Sequence, residues 1–288
     1  MLCINNVVNE LLHHVECSDR VVIKQLEWTH FRSGWTLVHH LLKSINIRCK
    51  AVLFANIDYQ AQGLTNSSEP FPWHMEDVPN CRWAGIVHGP LSAAHDLISS
   101  EWWAKAHKSC CGLFALTQSI SDELHCATGL PVQTLYVPFE RPSVTWSKAE
   151  QFITVGNAFR DRSFIESLPY NIKSINCFND DRMANDEYDL LLSRSVVVVK
   201  LTSTVVANIM IDCMASKTPL IINRNEVSED YLGVEYPLFY HDYDSCVSAL
   251  ADIERHHLAN EYLCSRNMSR HSVDAFRETL VTSSIWDS

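Results

Sequence analysis

Residues 195–233 read SVVVVKLTSTVVANIMIDCMASKTPLIINRNEVSEDYLG. Val196–Val199 is an unbroken β-branched run, the pattern of a parallel strand buried on both faces. Thr202, Ser203 and Thr204 then fall at a strand-to-helix junction, where free backbone N–H groups and hydroxyls can hold an anion. In the helix predicted over 205–216, Asn208 and Asp212 share one face at i, i+4 spacing. A second buried strand at 219–223 follows Thr218-Pro219 and places Asn223-Arg224 at its carboxyl end. It leads to a helix at 226–232, where Glu226, Glu229 and Asp230 crowd the helix start and suit its dipole. On spacing alone a plainer reading stays open, in which the hydroxyls cap a helix and the acids are solvated. Either way, strands alternating with helices in this order point to an α/β fold with parallel sheets.

Outward from this stretch the alternation continues. Upstream, strands are predicted at 152–155 and 172–177, with helices from about 161 and over 185–193. Downstream come a strand near Pro237–Tyr240 and two or three terminal helices. Before Pro138 there is an earlier series: an amphipathic helix over 4–16, strands at 21–28, 50–56, 83–88, 111–117 and 132–137, and a helix start at Ser119-x-x-Asp122 suited to an N-cap. The segment 58–82 is polar and broken by Pro70, Pro72 and Pro79, and reads as a functional loop. Residues 138–150 carry two prolines and no clear period, and read as a linker. The expected architecture is therefore two Rossmann-like domains facing each other across a cleft. One spans 1–140 and the other 150–270, with a terminal helix or tail at 271–288. Ligands of such sheets bind at the carboxyl ends of the strands.

The chain has 288 residues and only 8 glycines, and no two of these stand close enough for G-x-G-x-x-G or open a P-loop. Any phosphate must therefore be held by helix N-termini and side chains. Lys plus Arg number 23 against 34 Asp plus Glu, a net charge of −11, which disfavours a nucleic-acid partner because that affinity rests on a basic stripe. The 11 cysteines are odd in number, with no C-x-x-C, and residues 1–16 do not read as a signal peptide. The most apolar stretch, 196–215, is interrupted by Lys200 and Asp212, so no membrane span is expected. A cytoplasmic location follows as an expectation, with most cysteines acting as small buried hydrophobes. The pairs His13-His14, His39-His40 and His256-His257 fall in helical segments and are expected to be solvated or half-buried, without a role.

The motifs of the second half resemble the donor domain of GT-B glycosyltransferases of the retaining, glycogen-synthase-like group (glycosyltransferase group 1, family 4-like). The matching residues are Asp212-Cys213-Met214-Ala215-Ser216-Lys217-Thr218-Pro219, then Glu226 to Glu229. In that group the acidic helix residue closes an E-x7-E motif whose acids contact the nucleotide ribose and support the sugar. Asp212 matches the second acid, and Thr204 stands where the first would be. Phe152–Arg160 is similar to the group's strand-Gly-x-x-x-Arg entry, with Gly156 and Asn157 in the turn. There a basic residue meets the donor diphosphate, a role for which Arg160 is the candidate and a guanidinium fork is suited. Arg162 stands in for a lysine that usually follows.

In the first half, Glu27–Trp35 occupies the place of the group's glycine-rich loop, with Gly34 its remaining glycine and Arg32 beside it. His88, closing strand 83–88 before Gly89-Pro90, is placed where a cleft histidine could touch sugar or acceptor, although a structural role is as common for such a residue. The resemblance implies a metal-independent glycosyltransferase that takes a nucleotide-sugar as substrate and needs no cofactor. Asp212 and His88 are its catalytic candidates. Gly34, Gly156, Asn157, Arg160, Ser203, Thr204, Asn208 and Glu229 are its donor-binding candidates. The alternative is a non-catalytic GT-B-like protein that binds a nucleotide or a protein partner. The acceptor and the oligomeric state are not legible.

Overall fold

A computed structural model describes residues 21–24, 35–58, 82–156, 159–175 and 183–287. The predicted helix over 4–16, the turn with Arg32 and Gly34, most of the proline-broken loop, and Asn157 lie outside the described residues. The described chain forms two five-stranded sheets, and every pairing between strands is parallel.

The first sheet has the order β1 (Val22–Lys24), β2 (Val52–Phe54), β3 (Trp83–Val87), β4 (Cys110–Ala115), β5 (Val132–Thr134). Strands β2, β3 and β4 alternate with a two-residue period, broken once in β4 at Gly112, where the register with β3 shifts. Leu53, Ala55, Ala84, Ile86, Cys111 and Phe114 face a core shared with helix α1 (Trp35–Ser44). Val52, Phe54, Trp83, Val87, Leu113 and Ala115 face a second core with α2 (Leu91–Ile98), α3 (Glu101–Ala106) and α4 (Gln118–Thr128). The sequence pattern places no element over 91–109, where α2 and α3 stand; Trp102 and Trp103 of α3 close on Trp83, and Trp83 Nε1 donates to Ala106 O at 2.9 Å. Helix α4 is capped by Thr117, whose hydroxyl accepts from Ile120 N, two residues before the predicted cap, and it ends at Gly129 with φ +67°.

The second sheet has the order β10 (Phe239–Tyr240), β9 (Leu220–Asn223), β8 (Ser195–Val199), β6 (Gln151–Val155), β7 (Ile172–Ile175). All five residues of β8 are buried, as a central parallel strand requires. Helices α5 (Arg162–Ser167), α6 (Asn185–Ser193), α7 (Asn208–Ser216) and α8 (Glu226–Leu232) connect or follow these strands. Helix α7 begins three residues later than its spacing predicts, because Val205, Val206 and Ala207 are buried in non-helical backbone that packs into the core.

Helices α9 (Tyr243–Ala251), α10 (Ile253–Ser265) and α11 (Val273–Val281) follow, and the chain then returns to the first sheet. Trp286 packs on Phe114 with ring centroids 5.9 Å apart, and its carbonyl accepts from Arg82 Nη2 at 3.0 Å. Gly112 makes this possible: a Cβ there would lie 2.7 Å from Ile285 Cγ1 and from Pro131 O.

The halves meet at α8. Tyr231 Oη donates to Leu116 O at 2.7 Å, and Asp230 accepts from Tyr136 Oη at 3.0 Å, Gln118 N at 3.2 Å and Arg270 Nη1 at 3.1 Å.

Of the described histidine pairs, His39 and His256 are buried and His40 and His257 exposed, so each pair puts one ring in the core. His256 Nε2 meets Ala249 O at 2.8 Å. The seven described cysteines are free thiols, four of them buried. Among the described residues no helix is long and apolar enough to cross a membrane.

Candidate functional site

Strand β6 pairs with β7 on one side and β8 on the other, so the chain leaves β6 outward and returns across it to β8. Consecutive connections therefore diverge at the carboxyl ends of these two strands. Parallel sheets leave a ligand crevice at such a switch point. The loop after β6 begins at Gly156, whose φ of +88° favours glycine and where, among the described residues, an added Cβ would meet only Arg160 Nη2, at 3.8 Å.

The two loops are stitched together by backbone. Phe159 O accepts from Thr202 N at 3.1 Å, Arg160 forms an antiparallel bridge with Leu201, and Asp161 N donates to Lys200 O at 3.0 Å. Lys200 Nζ lies 3.1 Å from Asp161 Oδ2 and 4.1 Å from the centre of the Phe164 ring. Asp161 also caps α5 by accepting from Phe164 N at 3.0 Å, and Ser163 Oγ donates to it at 2.8 Å. The Phe164 amide first, then Ser163 and Lys200, hold its carboxyl below the usual carboxylate range. Asn223 at the end of β9 clamps the second loop from behind: its Oδ1 accepts from Leu201 N at 2.7 Å and its Nδ2 donates to Leu201 O at 3.1 Å.

Ser203 and Thr204 sit on that clamped loop, half-buried. The Ser203 hydroxyl is itself buried and has no hydrogen-bond partner. Helix α7 starts just beyond, after Ala207, which offers no side-chain cap; Met210 N donates to Ala207 O at 2.8 Å, and the amides of Asn208 and Ile209 get no cap from Ala207. Arg160, an unpartnered hydroxyl and an uncapped nine-residue helix start thus share one crevice edge. Together they can hold the oxygens of a phosphate or carboxylate.

The structure therefore brings Gly156, Arg160, Ser203, Thr204 and Asn208 to the ends of adjacent strands. Glu229 stands farther along the same sheet edge, beyond β9, where its Oε1 accepts from Arg224 Nε at 2.5 Å. Asp212 is set apart. Its Oδ2 accepts from Tyr188 Oη at 2.9 Å, and it borders a cavity of about 10 Å³ between α6 and α7, lined also by Pro142, Asp189, Leu192 and Ser216. That space holds a water at most. His88 stands on the other sheet, at the end of β3, with its ring 4.5 Å from Trp35. The buried Asp58 carboxylate accepts from the amides of His88 at 3.1 Å and Gly89 at 2.5 Å, which fixes the turn after β3.

Sequence reasoning passed over Lys200, Asp161 and Phe159. Lys200 was visible as a charge terminating an apolar strand, and Asp161 as an N-cap residue before Arg162. Their contact spans 39 residues and depends on strand order. Among the described residues no group of three or more His, Cys, Asp or Glu is placed to hold a metal ion.

No sequence-family model matches the chain, and no curated protein matches it. Solved structures do. Sucrose-phosphate synthase from Thermosynechococcus elongatus superposes with a TM-score of 0.52 at 10% identity, over 92% of this chain and 84% of that one. An E. coli trehalose-6-phosphate protein bound with UDP-2-fluoro glucose gives 0.55 at 9% identity, over 86% and 76%. A variant of S. aureus TarM in complex with UDP gives 0.53 at 10% identity, over 82% of this chain but 55% of its own length. At 9–10% identity these likenesses rest on architecture alone. The chain has the GT-B fold of the glycosyltransferases.

Proposed function

We propose that the crevice at the ends of β6 and β8 binds the diphosphate of a nucleotide-sugar, and that the chain transfers the sugar to an acceptor without a metal ion. The observation that carries this reading is the convergence of Arg160, the buried Ser203 hydroxyl and the uncapped start of α7 on one edge of the crevice. Two of the similar structures hold UDP or a UDP-sugar analogue, which supports the same ligand class.

In this reading Arg160 forks onto the diphosphate, and Ser203, Thr204 and the α7 amides complete its oxygen contacts. These donors are fixed before the ligand arrives, so they stabilise the negative charge that builds on the leaving diphosphate without reorganising. Lys200 lends charge from behind, held by Asp161. His88, on the opposite sheet, touches the sugar or the acceptor hydroxyl. Gly34, Asn157, Asn208 and Glu229 belong to the donor side by sequence position. Asp212 accepts from Tyr188 and so ties α7 to α6. Holding donor and acceptor in register as the halves close supplies the rest.

One observation favours a second reading, binding without transfer: Thr204 stands where the resembling group has an acid, and Asp212 is committed to Tyr188. Incubation with a panel of nucleotide-sugars separates the two. Transfer or donor hydrolysis releases free nucleotide above the protein-free rate. Tight binding with no release across the panel gives the second reading, and no binding of any nucleotide removes both.

A further inference from the structure

The loop that carries Arg160 contains a backbone outlier. Phe159 has φ +56°, in the left-handed region that bulky L-residues avoid. The other described non-glycine residue there is Lys217, which ends α7 in an ordinary left-handed cap. Phe159 ends no helix, and the residue is 37% exposed, so burial does not explain an aromatic at this position. Nor does the turn require one. The ties that hold the loop are all backbone: Thr202 N to Phe159 O, the Arg160–Leu201 bridge, and Asp161 N to Lys200 O. Glycine would satisfy each of them with less strain. A strained, solvent-facing aromatic beside a candidate anion site is the kind of outlier that persists where function uses it. Among the described residues, a Cβ on Gly156 would meet only Arg160 Nη2, at 3.8 Å.

We propose that Phe159 is a stacking platform at the crevice mouth. Its ring face takes the flat face of a ring on the same ligand whose phosphate Arg160 holds, either the nucleobase or the apolar face of the hexose. The proposal rests on the anion-binding reading of the crevice and adds to it the element that recognises a ring.

Isothermal titration of wild type, Phe159→Gly and Phe159→Tyr with inorganic pyrophosphate, with uridine, adenosine and guanosine diphosphates, and with UDP-glucose tests it. Pyrophosphate, which has no ring, binds all three proteins alike. Phe159→Gly loses about tenfold on the preferred nucleoside diphosphate if the base is stacked, or on UDP-glucose alone if the sugar is. Phe159→Tyr stays within about twofold of wild type, and the melting temperature of Phe159→Gly is not lowered. Equal affinities of Phe159→Gly and wild type for every ligand overturn the stacking role and leave the crevice reading intact. A parallel loss on pyrophosphate overturns it too, since the ring then only shapes the loop. If wild type binds none of these ligands, the crevice reading falls and this proposal with it.

Discussion

Arg160 is positioned by its own main chain, which bridges to Leu201 while its neighbours Phe159 and Asp161 bond to Thr202 and Lys200. The clamp fixes where the side chain starts, and the guanidinium fork supplies charge-assisted bonds to phosphate oxygens. Removing it costs the ligand roughly 1.5–3 kcal/mol. Arg160→Ala is therefore expected to raise the dissociation constant of the bound nucleoside diphosphate about 10- to 100-fold, with the unfolding midpoint little changed. Titration calorimetry beside a urea melt checks both. Arg160→Lys should recover only part of the loss, because an ammonium cannot span two phosphate oxygens. An Arg160→Ala protein that binds as wild type does would remove the diphosphate from this edge of the sheet.

At the scale of elements, α7 is held against α6 by Tyr188 and Asp212, both buried. Truncating Asp212 leaves the Tyr188 hydroxyl buried without its acceptor, which costs about 1–3 kcal/mol. Asp212→Ala should lower the urea midpoint accordingly while nucleotide affinity stays within about twofold; a large affinity loss at unchanged stability would instead put the carboxylate on the ligand. This element also shows what the sequence can and cannot tell. The run Val196–Val199 and the turn at Thr218-Pro219 announce their strands through local chemistry. The motif around Asp212 is equally local, but the direction in which its carboxylate points is decided by Tyr188, 24 residues earlier and on another helix. Helix α3 escapes notice for a related reason: its two indoles are ordered by Trp83 across the sheet, not by a helical stripe of their own. Arg160, Ser203 and Thr204 could be found because strand ends are legible. Their pairing across the switch point required the order of strands.

Across the whole molecule the two halves are joined by a small set of buried groups that respond to pH. His271 Nδ1 meets Val137 O at 3.1 Å, and Arg270 Nε donates to its Nε2 at 3.2 Å, so the ring is held neutral with its proton on Nδ1. Burial first, then the charge of Arg270, pushes its imidazole down to about 3. Tyr136, Tyr231 and Phe139 surround the ring, and Asp230 is tied to the same Arg270. In the unfolded chain a histidine titrates near 6.5. Below that value the unfolded state binds the extra proton, so stability falls as pH drops from about 6.5 toward 3. The slope for one histidine is at most about 1.4 kcal/mol per pH unit. His256, lowered by burial as well, adds in the same direction. Urea midpoints measured from pH 7.5 to 5.5 should fall in wild type and fall less in His271→Asn, which keeps a donor toward Val137. A flat wild-type profile would mean that the ring is not buried neutral.

The return of the chain to its first sheet has a consequence for biosynthesis. Ile285 and Trp286 belong to the core that covers one face of β2, β3 and β4, and Arg82 and Cys49 bond to the Trp286 carbonyl. Domains made early in translation usually fold before later ones emerge. Here the early half remains unfinished, with Phe114 and its neighbours unsealed, until residue 286 has left the ribosome. The order of synthesis and the order of completion therefore run in opposite directions, and a chain shortened before Ile285 is expected to leave that face of the first sheet open.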